Sequence, residues 1–420
     1  MLNKFFENKN IDRAMFAALC CFLFAYGVYF WGFLQFGHMA IGVVALAIYV
    51  IYKTCQMGSV PFDMRMLFLM MLYIITCCRD MADVDESLGC RTVIPVLFYL
   101  TGVMLVGNEM SQAAKRSFIG MMSFACGYFI QGLLDLSVDF NGEEEFSTEN
   151  WNRFWTGTEQ SRTLFTLDFI LITSTFVFAI MIFKKHKVLS IISFVLNLFI
   201  QVMDVKVEGR YNICLLVGDL LVLGLVYLHD NWDKLSDNFK KLLFRVVIGA
   251  IAVIAVIAIV FALDIGGIQD KYMNSYWGGS GGIIHNVRYH LYVEAIQKVF
   301  TETNLGFYIE FRGESTTHNS YMEFARAYGI APFAMLVAFI VLVLKDVVTL
   351  ALDKSAGVIK YLLVAASLNM IVYFFLEPSG HRYYNVFSVA YFVYGILHGY
   401  VNNRRAVWVK WPKEAYVNKG

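Results

Sequence analysis

Twelve apolar runs, all but the short tenth one near the length of a membrane-spanning helix, constrain this sequence more than any other feature. A helix that crosses the hydrocarbon layer needs roughly 20 predominantly apolar residues. The chain is 58% hydrophobic and only 16% charged, whereas a soluble domain is about half apolar and a quarter charged. We therefore predict an all-α, polytopic membrane protein of about 12 transmembrane helices, at 14–32, 36–52, 62–78, 92–106, 117–136, 164–183, 188–203, 211–228, 242–263, 333–344, 357–376 and 386–402.

Lys and Arg residues in the connections predict how these helices are oriented, because cytoplasmic loops carry an excess of both. With the N terminus inside, most of the 34 Lys and Arg residues fall in inner segments. Both termini are then cytoplasmic, and the longest connection is extracytoplasmic. The predicted parts are 1–263 with helices 1–9, a large helical loop over 264–332, and 333–420 with helices 10–12 and a cytoplasmic tail.

The extracytoplasmic loop begins with a Gly-rich stretch and continues into two predicted helices. The first covers 287–302 and starts beside Arg288. Apolar residues recur in it at helical spacing, which predicts a buried face made of Leu291, Ile296, Val299 and Phe300.

The second predicted helix of the loop starts near Ser320. Ser320 and Glu323 have the spacing of a capping box, and Gly329 is a typical stop. His318 would then lie just outside a helix N terminus, where backbone N–H groups and the helix dipole favour an anion.

Arg210, Arg288 and His318 fall on the predicted outer side and suggest one chemistry. Two guanidinium groups can hold a diphosphate through paired hydrogen bonds, and a neutral imidazole can accept a proton near pH 7. Together they suit displacement of a diphosphate from carbon without a metal ion. Simpler interpretations are that the arginines pair with nearby acids and that His318 makes an ordinary hydrogen bond at the helix start.

Three segments carry a resemblance to a known family. THNSYMEFARAYGIAP at 317–332 resembles the His-Asn signature of the O-antigen ligase and O-antigen polymerase superfamily. VRYHLYVEAIQKVFTETNLGF at 287–307 is similar to the Arg-bearing helix before a Gly-rich turn in that superfamily, and EGRYN at 208–212 is similar to its motif at the head of a span. The chain departs from the family pattern at Gly209, at Asn304 and at Phe307-Tyr308.

This resemblance implies a metal-independent, inverting membrane glycosyltransferase of the C type, without a cofactor, in the cytoplasmic membrane of a bacterium. Its donor would be a glycan on undecaprenyl diphosphate, used at the extracytoplasmic face. Arg210 and Arg288 would hold the diphosphate and His318 would activate the acceptor hydroxyl. Asn319 and Arg382 are the predicted substrate-binding residues, and no metal ligand is predicted.

Three other functions remain open at this point. We favour a polysaccharide polymerase over an O-antigen ligase, which would transfer the glycan to lipid A-core, because the outer surface is not strongly basic. A lipid-linked saccharide transporter would need ionisable residues inside the spans, for which Arg65, Asp135 and Asp219 are the candidates. The third open function is that of a non-catalytic assembly protein.

Predicted partners are the lipid-linked oligosaccharide, membrane lipids, and a chain-length regulator and flippase of the same pathway, but no nucleic acid.

Overall fold

The computed structural model describes residues 8–28, 37–80, 88–107, 110–139, 150–152, 154–155, 157, 159–206, 211–238, 240–241, 287–302, 306–310, 317, 319–376, 384–402 and 408–410. This part of the chain is nearly all helical. Its helices are α1 (Lys9–Gly27), α2 (Gly37–Met57), α3 (Met64–Asp80), α4 (Leu88–Val106), α5 (Met110–Asp139), α6 (Arg162–Thr173), α7 (Thr175–Ile182), α8 (Lys187–Lys206), α9 (Tyr211–Asn231), α10 (Val287–Thr301), α11 (Ser320–Tyr328), α12 (Ile330–Leu352), α13 (Ile359–Leu376) and α14 (Tyr384–Asn402).

Two short antiparallel strand pairs accompany the helices. β1 (Ser59–Pro61) pairs with β4 (Trp408–Lys410), and β2 (Asn150–Asn152) pairs with β3 (Glu159–Ser161). Ser59 lies opposite Lys410 in the first pair. That pair therefore ties the connection between α2 and α3 to the chain that follows α14.

Several helices have the length and composition of membrane spans. Four are long and apolar enough to cross a membrane, at Gln112–Val138, Lys187–Asp204, Tyr211–Lys234 and Ile330–Leu352. Shorter apolar helices lie at Ile41–Met57, Met64–Cys78, Val93–Val106, Thr166–Ile182, Ile359–Phe375 and Phe387–Val401. The described chain is thus compatible with the predicted helical membrane protein, while the total of 12 spans and the large loop stay predictions.

Two predicted runs differ clearly in length or continuity from the described helices. The short tenth run, 333–344, extends in both directions as helix α12, which begins at Ile330 and ends at Leu352. The run at 164–183 is interrupted at Ser174, between α6 and α7. The ninth run, 242–263, and the start of the loop, 264–286, lie outside the described residues.

Three helices, α2, α8 and α9, each carry exposed apolar side chains at helical spacing. Soluble monomers rarely expose apolar patches larger than a few hundred Å², so these helix faces suit contact with lipid. The side chains are Ile41, Val44, Ile48 and Ile51 on α2, Val188, Ile191, Val195 and Leu198 on α8, and Val217, Leu221 and Leu225 on α9.

The centre of the bundle is the contact between α4 and α14. A Cβ atom at Gly102 or Gly395 would overlap the carbonyl oxygens of Phe392 and Tyr99, respectively. Small residues at such contacts let two helix backbones approach closely, which is how helices commonly pack in membranes. Most side chains of α14 from Phe387 onwards are buried as a result.

A buried ionic cluster, made of Asp63, Arg65, Asp346 and His398, joins α3 and its preceding residue to α12 and α14. Arg65 Nη1 lies 2.9 Å from Asp63 Oδ2, and Arg65 Nη2 lies 2.6 Å from Asp346 Oδ1. The two ring nitrogens of His398 lie 3.1 Å from oxygens of the same carboxylates. Only an imidazolium can donate from both nitrogens. The geometry therefore fits two cations balanced by two carboxylates.

Candidate functional site

Helix α11 begins at a cap that differs from the predicted one. Asn319 is the N-cap residue, and its Oδ1 accepts hydrogen bonds from the backbone N–H groups of Tyr321 at 3.0 Å and Met322 at 3.1 Å. The predicted capping box of Ser320 and Glu323 is therefore wrong, since Ser320 is already helical. Both Asn and Ser are strong N-cap residues, and the spacing between Ser320 and Glu323 favoured Ser320 in the prediction.

Glu323 holds the segment before α11 instead of closing a capping box. Its Oε1 accepts hydrogen bonds from the backbone N–H of Thr317 at 2.6 Å and from Thr317 Oγ1 at 2.9 Å. Its Oε2 accepts a hydrogen bond from Arg326 Nε at 2.8 Å. Glu323 and Thr317 are fully buried, and Asn319 is nearly so. The residues on both sides of position 318 are therefore fixed by buried hydrogen bonds, although His318 itself lies outside the described residues.

Helix α10 packs against α11 through a face that was only partly predicted. Leu291, Ala295 and Val299 are buried in a small apolar cluster with Ala325 of α11. Leu291 and Val299 were predicted for this face, but two other predicted members are exposed, namely Ile296 at 47% and Phe300 at 68%. Ala295, which was not predicted for this face, is fully buried in it.

The position of Arg288 follows from the register of α10. Residue 288 is helical and precedes Leu291 by three positions and Ala295 by seven. Those spacings place it on the helix face that packs towards α11. The side chain of Arg288 lies outside the described residues.

A turn at Gly306 packs closely against the end of α11 and connects it to α10. Gly306 has φ of 93°, and a Cβ atom there would overlap the carbonyl oxygen of Arg326. The next residue, Phe307, donates its backbone N–H to that same carbonyl at 2.9 Å. Only glycine adopts this φ readily and leaves room for the close approach. The two helices and the turn between them therefore form one packed unit, which we call the loop unit (Val287–Thr301, Gly306–Glu310 and Thr317–Gly329).

The loop unit rests on α13 and α14. Tyr321 Oη donates a hydrogen bond to the carbonyl of Ile371 at 3.2 Å, and Phe324 makes an edge-to-face contact with Phe387, with ring centroids 5.4 Å apart. Burial raises the pKa of Tyr321 well above its ordinary range, so the phenol remains a neutral donor. Ile371 and Phe387 lie on the helices that flank residues 377–383, the segment that contains Arg382 and lies outside the described residues.

A cavity of about 200 Å³ lies between α9 and the same turn of α13. Tyr211, the first residue of α9, lines it together with Val372 and Tyr373. Much of the remaining wall is apolar, but Asp219 and Asn369 add polar groups. Asn369 Nδ2 donates to Asp219 Oδ2 at 2.9 Å. Tyr211, which follows position 210, thus lines the same cavity as Val372 and Tyr373, the two residues after Ile371 on α13.

Buried hydrogen bonds hold the start of α9 in place. Asn212, the second residue of that helix, is fully buried and accepts a hydrogen bond from Thr173 Oγ1 at 3.2 Å. The adjacent Ser174 accepts a hydrogen bond from Asn369 Nδ2 at 2.9 Å. The break between α6 and α7 thus links α9 to α13. Arg210 itself lies outside the described residues.

Of the predicted site residues, the structure therefore describes the side chain of Asn319 alone. For Arg210 and His318 it describes neighbouring residues that lie near one end of α13. The same end of α13 leads into the segment that contains Arg382, whereas α10, which carries Arg288, packs against α11. Sequence reasoning missed the role of Glu323, although a carboxylate in the first turn of a helix is a signal for contacts at its N terminus. Within the described part of the chain, no group of three His, Cys, Asp or Glu side chains could hold a metal ion.

Comparison with known proteins identifies no family for the chain. No protein-family model matches the chain, and no curated protein matches it.

Proposed function

We propose that this protein is a membrane glycosyltransferase that polymerises a polysaccharide. It takes a glycan from undecaprenyl diphosphate and transfers it to the terminal sugar hydroxyl of another lipid-linked repeat unit. The reaction takes place at the extracytoplasmic face of a bacterial cytoplasmic membrane and needs no metal ion.

The observation that carries the proposal is that two chain segments, those adjoining Arg210 and His318, both lie near the same end of α13. Tyr211 follows Arg210 and lines a cavity with Tyr373. Tyr321 lies three residues after His318 and bonds to the carbonyl of Ile371. Segments more than 100 positions apart in sequence are thus found near the same part of one helix. A shared pocket for their charged neighbours is the simplest use of this arrangement.

The proposed chemistry is a single displacement at the anomeric carbon of the donor. The acceptor hydroxyl oxygen bonds to that carbon, and the bond from the carbon to the diphosphate oxygen breaks with its electron pair leaving on the diphosphate. His318 accepts the hydroxyl proton, and Arg210 and Arg288 stabilise the charge on the departing diphosphate. Attack from the opposite side inverts the configuration of the anomeric carbon.

The cap of α11 would position the base in this reaction. Thr317 is held by Glu323, and Asn319 is held by the N–H groups of Tyr321 and Met322. A residue between two fixed neighbours has little freedom to leave its place, and such preorganisation supports proton transfer. We also propose that Arg382 contacts the glycan from the connection between α13 and α14.

The cavity between α9 and α13 suits the lipid end of the donor. A polyprenyl tail cannot leave the bilayer without exposing a large apolar area to water. The cavity is lined mainly by apolar residues, including Leu215, Val222, Leu368 and Val372. It would receive the first isoprene units beside the diphosphate.

A transporter is the second candidate, and Asp219 is the observation that favours it. Arg65 belongs to the ionic cluster, and Asp135 accepts hydrogen bonds from Gln131 at 2.6 Å and from the N–H of Phe154 at 2.8 Å. Asp219 instead lines a cavity inside the bundle. Ionisable residues at such depth often lie on a transport path. An O-antigen ligase would use the same donor chemistry with a different acceptor.

The deciding experiment is incubation of the purified protein with a lipid-diphosphate oligosaccharide in the presence of a chelator, followed by sizing of the glycans. We expect longer chains from the wild type. Loss of the base in His318→Ala should slow transfer by about 10²–10⁴-fold, and loss of a diphosphate contact in Arg288→Gln by roughly 10²–10³-fold. Matched controls are His186→Ala, an exposed histidine, and Lys298→Gln, another cation of α10.

Three results would reject parts of the proposal. Unchanged chain lengths in His318→Ala or Arg288→Gln would remove those residues from the site. Transfer to lipid A-core in place of a second repeat unit would identify a ligase. Movement of the intact lipid-linked saccharide across a vesicle membrane, abolished by Asp219→Asn and without chain growth, would identify a transporter.

A further inference from the structure

A second cavity, of about 350 Å³, lies at the other predicted face of the bundle. It is enclosed by the start of α1, the end of α2, the end of α4 and the start of α5, which are all predicted to be cytoplasmic. Four cations line it, namely Lys9, Arg13, Lys53 and Arg116. Among the lining residues that the structure describes, Asp12 is the one carboxylate.

Asp12 organises two of the four cations from inside the cavity wall. Its Oδ1 lies 2.5 Å from Lys53 Nζ, and its Oδ2 pairs with Arg116. Lys53 also donates to Gln56 Oε1 at 2.7 Å and is only 3% exposed. Burial on its own would raise the pKa of Asp12, but the hydrogen bonds from Arg116 and Lys53 outweigh that effect and lower it. The carboxylate is therefore ionised at neutral pH and fixes both cations in place.

The other two cations, Lys9 and Arg13, are exposed. They lie one turn apart on α1 and form no ion pair with another residue in the described part of the chain. Among the described lining residues, four cations accompany one carboxylate, which gives this lining an excess of positive charge. Low-dielectric walls increase the resulting potential by focusing the field.

We propose that this cavity binds a phosphate group, with Lys9 and Arg13 as the contacts at its mouth and the fixed pair of Lys53 and Arg116 at its wall. Guanidinium and ammonium groups are the usual partners of phosphate. Because the cavity opens at the predicted cytoplasmic surface, the phosphate is that of an anionic lipid headgroup or of a soluble phosphate. Basic pockets between transmembrane helices on this side commonly take anionic lipids.

A topological role for these residues is the alternative, because cytoplasmic connections carry Lys and Arg in any case. That role needs charge alone and no cavity. Exposed cations elsewhere on the same predicted face therefore provide the comparison. Lys184 and Lys185, in the connection between α7 and α8, are exposed and line no part of this cavity.

The test measures the thermal unfolding midpoint of the purified full chain in neutral detergent as a ligand is added. The probes are phosphatidylglycerol, phosphatidylcholine and inorganic phosphate, and a ligand that binds the folded state raises the midpoint. Four proteins are compared: the wild type, Lys9→Gln/Arg13→Gln, the charge-keeping Lys9→Arg/Arg13→Lys, and the control Lys184→Gln/Lys185→Gln.

We expect phosphatidylglycerol, but not phosphatidylcholine, to stabilise the wild type. Each cation near an anionic lipid contributes roughly fivefold in affinity, so Lys9→Gln/Arg13→Gln should bind on the order of 25-fold more weakly. The charge-keeping variant and the control should bind like the wild type. Stabilisation by inorganic phosphate with the same dependence on Lys9 and Arg13 would also support the site and would assign a soluble phosphate to it.

Two results would overturn the inference. One is the absence of stabilisation of the wild type by phosphatidylglycerol and by inorganic phosphate. The other is an equal loss of binding in Lys9→Gln/Arg13→Gln and in Lys184→Gln/Lys185→Gln, because it would mean that only overall charge matters. Equal unfolding midpoints of all four proteins without ligand show that the variants are folded.

Discussion

The ionic cluster and the cap of α11 are both buried polar assemblies, but they are built over different distances along the chain. In the ionic cluster, Arg65 pairs with Asp346, 281 positions away. In the cap, Glu323 holds Thr317, which is six positions away. The first can form only when α3, α12 and α14 have come together, whereas the second can form with the helix it starts.

This difference separates the two roles that buried polar groups have in the protein. The ionic cluster fixes which helices are neighbours, and its loss should be felt throughout the bundle. The cap fixes the conformation of a few residues beside position 318, and its loss should be felt at the proposed site. Changes in the ionic cluster should therefore lower stability more than transfer, and changes in the cap should lower transfer more than stability.

The largest effect should come from Asp346→Ala in the ionic cluster. Arg65 would lose the carboxylate at 2.6 Å, and His398 would lose one of its two partners. Removing one partner of a buried pair typically costs about 3–5 kcal/mol. The free energy of unfolding can be measured by SDS titration of the purified protein. The control is Asp233→Ala, which removes a highly exposed carboxylate that also pairs with a cation, Lys354, and should leave stability unchanged.

A double variant tests the reason for that loss. Asp346→Leu combined with Arg65→Leu removes one charge of each sign and leaves Asp63 paired with His398. Replacing a buried ion pair by apolar residues is often neutral or stabilising, so the double variant should recover most of the loss. If it were as unstable as Asp346→Ala, the loss would come from packing and not from an unpaired charge.

The next effect, of about 1 kcal/mol, should come from Asn319→Ala in the cap. Two N–H groups at the start of α11 would lose their acceptor. Hydrogen exchange at Tyr321 and Met322 should become faster, and transfer should fall more than global stability does. Asn319→Ser keeps a capping oxygen and should retain both protection and transfer. Protected amides combined with lost transfer in Asn319→Ser would instead assign the Asn319 amide to substrate binding.

Local features of the loop unit could be predicted from the sequence, although the prediction placed the helix cap one residue late and wrongly included Ile296 and Phe300 in the buried face of α10. Both helices were predicted, and so was the stop at Gly329. The cap was placed at Ser320 when Asn319 forms it, because both residues suit the position. The predicted face of α10 included Ile296 and omitted Ala295. Hydrophobicity favoured Ile296 because its side chain is larger, but Ala295 is the residue that is buried.

The ionic cluster could not be predicted in the same way. The sequence places Asp346 directly after Lys345 and past the end of the apolar run at 333–344, where an acid would be expected in an exposed connection. It does not say which of many distant cations pairs with this acid. That choice depends on how α3, α12 and α14 pack, and their packing depends on contacts such as Gly102 and Gly395 against facing backbone.

The smallest effect should come from Ser193→Ala. This substitution tests whether charge is the reason that the ionic cluster contributes more to stability than a neutral buried hydrogen bond. Ser193 Oγ lies 2.6 Å from Thr175 Oγ1, and both residues are buried between α7 and α8. Thr175 donates its own proton to the carbonyl of Ile172 at 2.7 Å, so the substitution leaves no donor without an acceptor. Neutral hydrogen bonds between membrane helices contribute about 0.6 kcal/mol on average, and SDS titration should detect a loss of that size. A loss close to that of Asp346→Ala would mean that burial of a polar group, rather than its charge, makes the long-range cluster important.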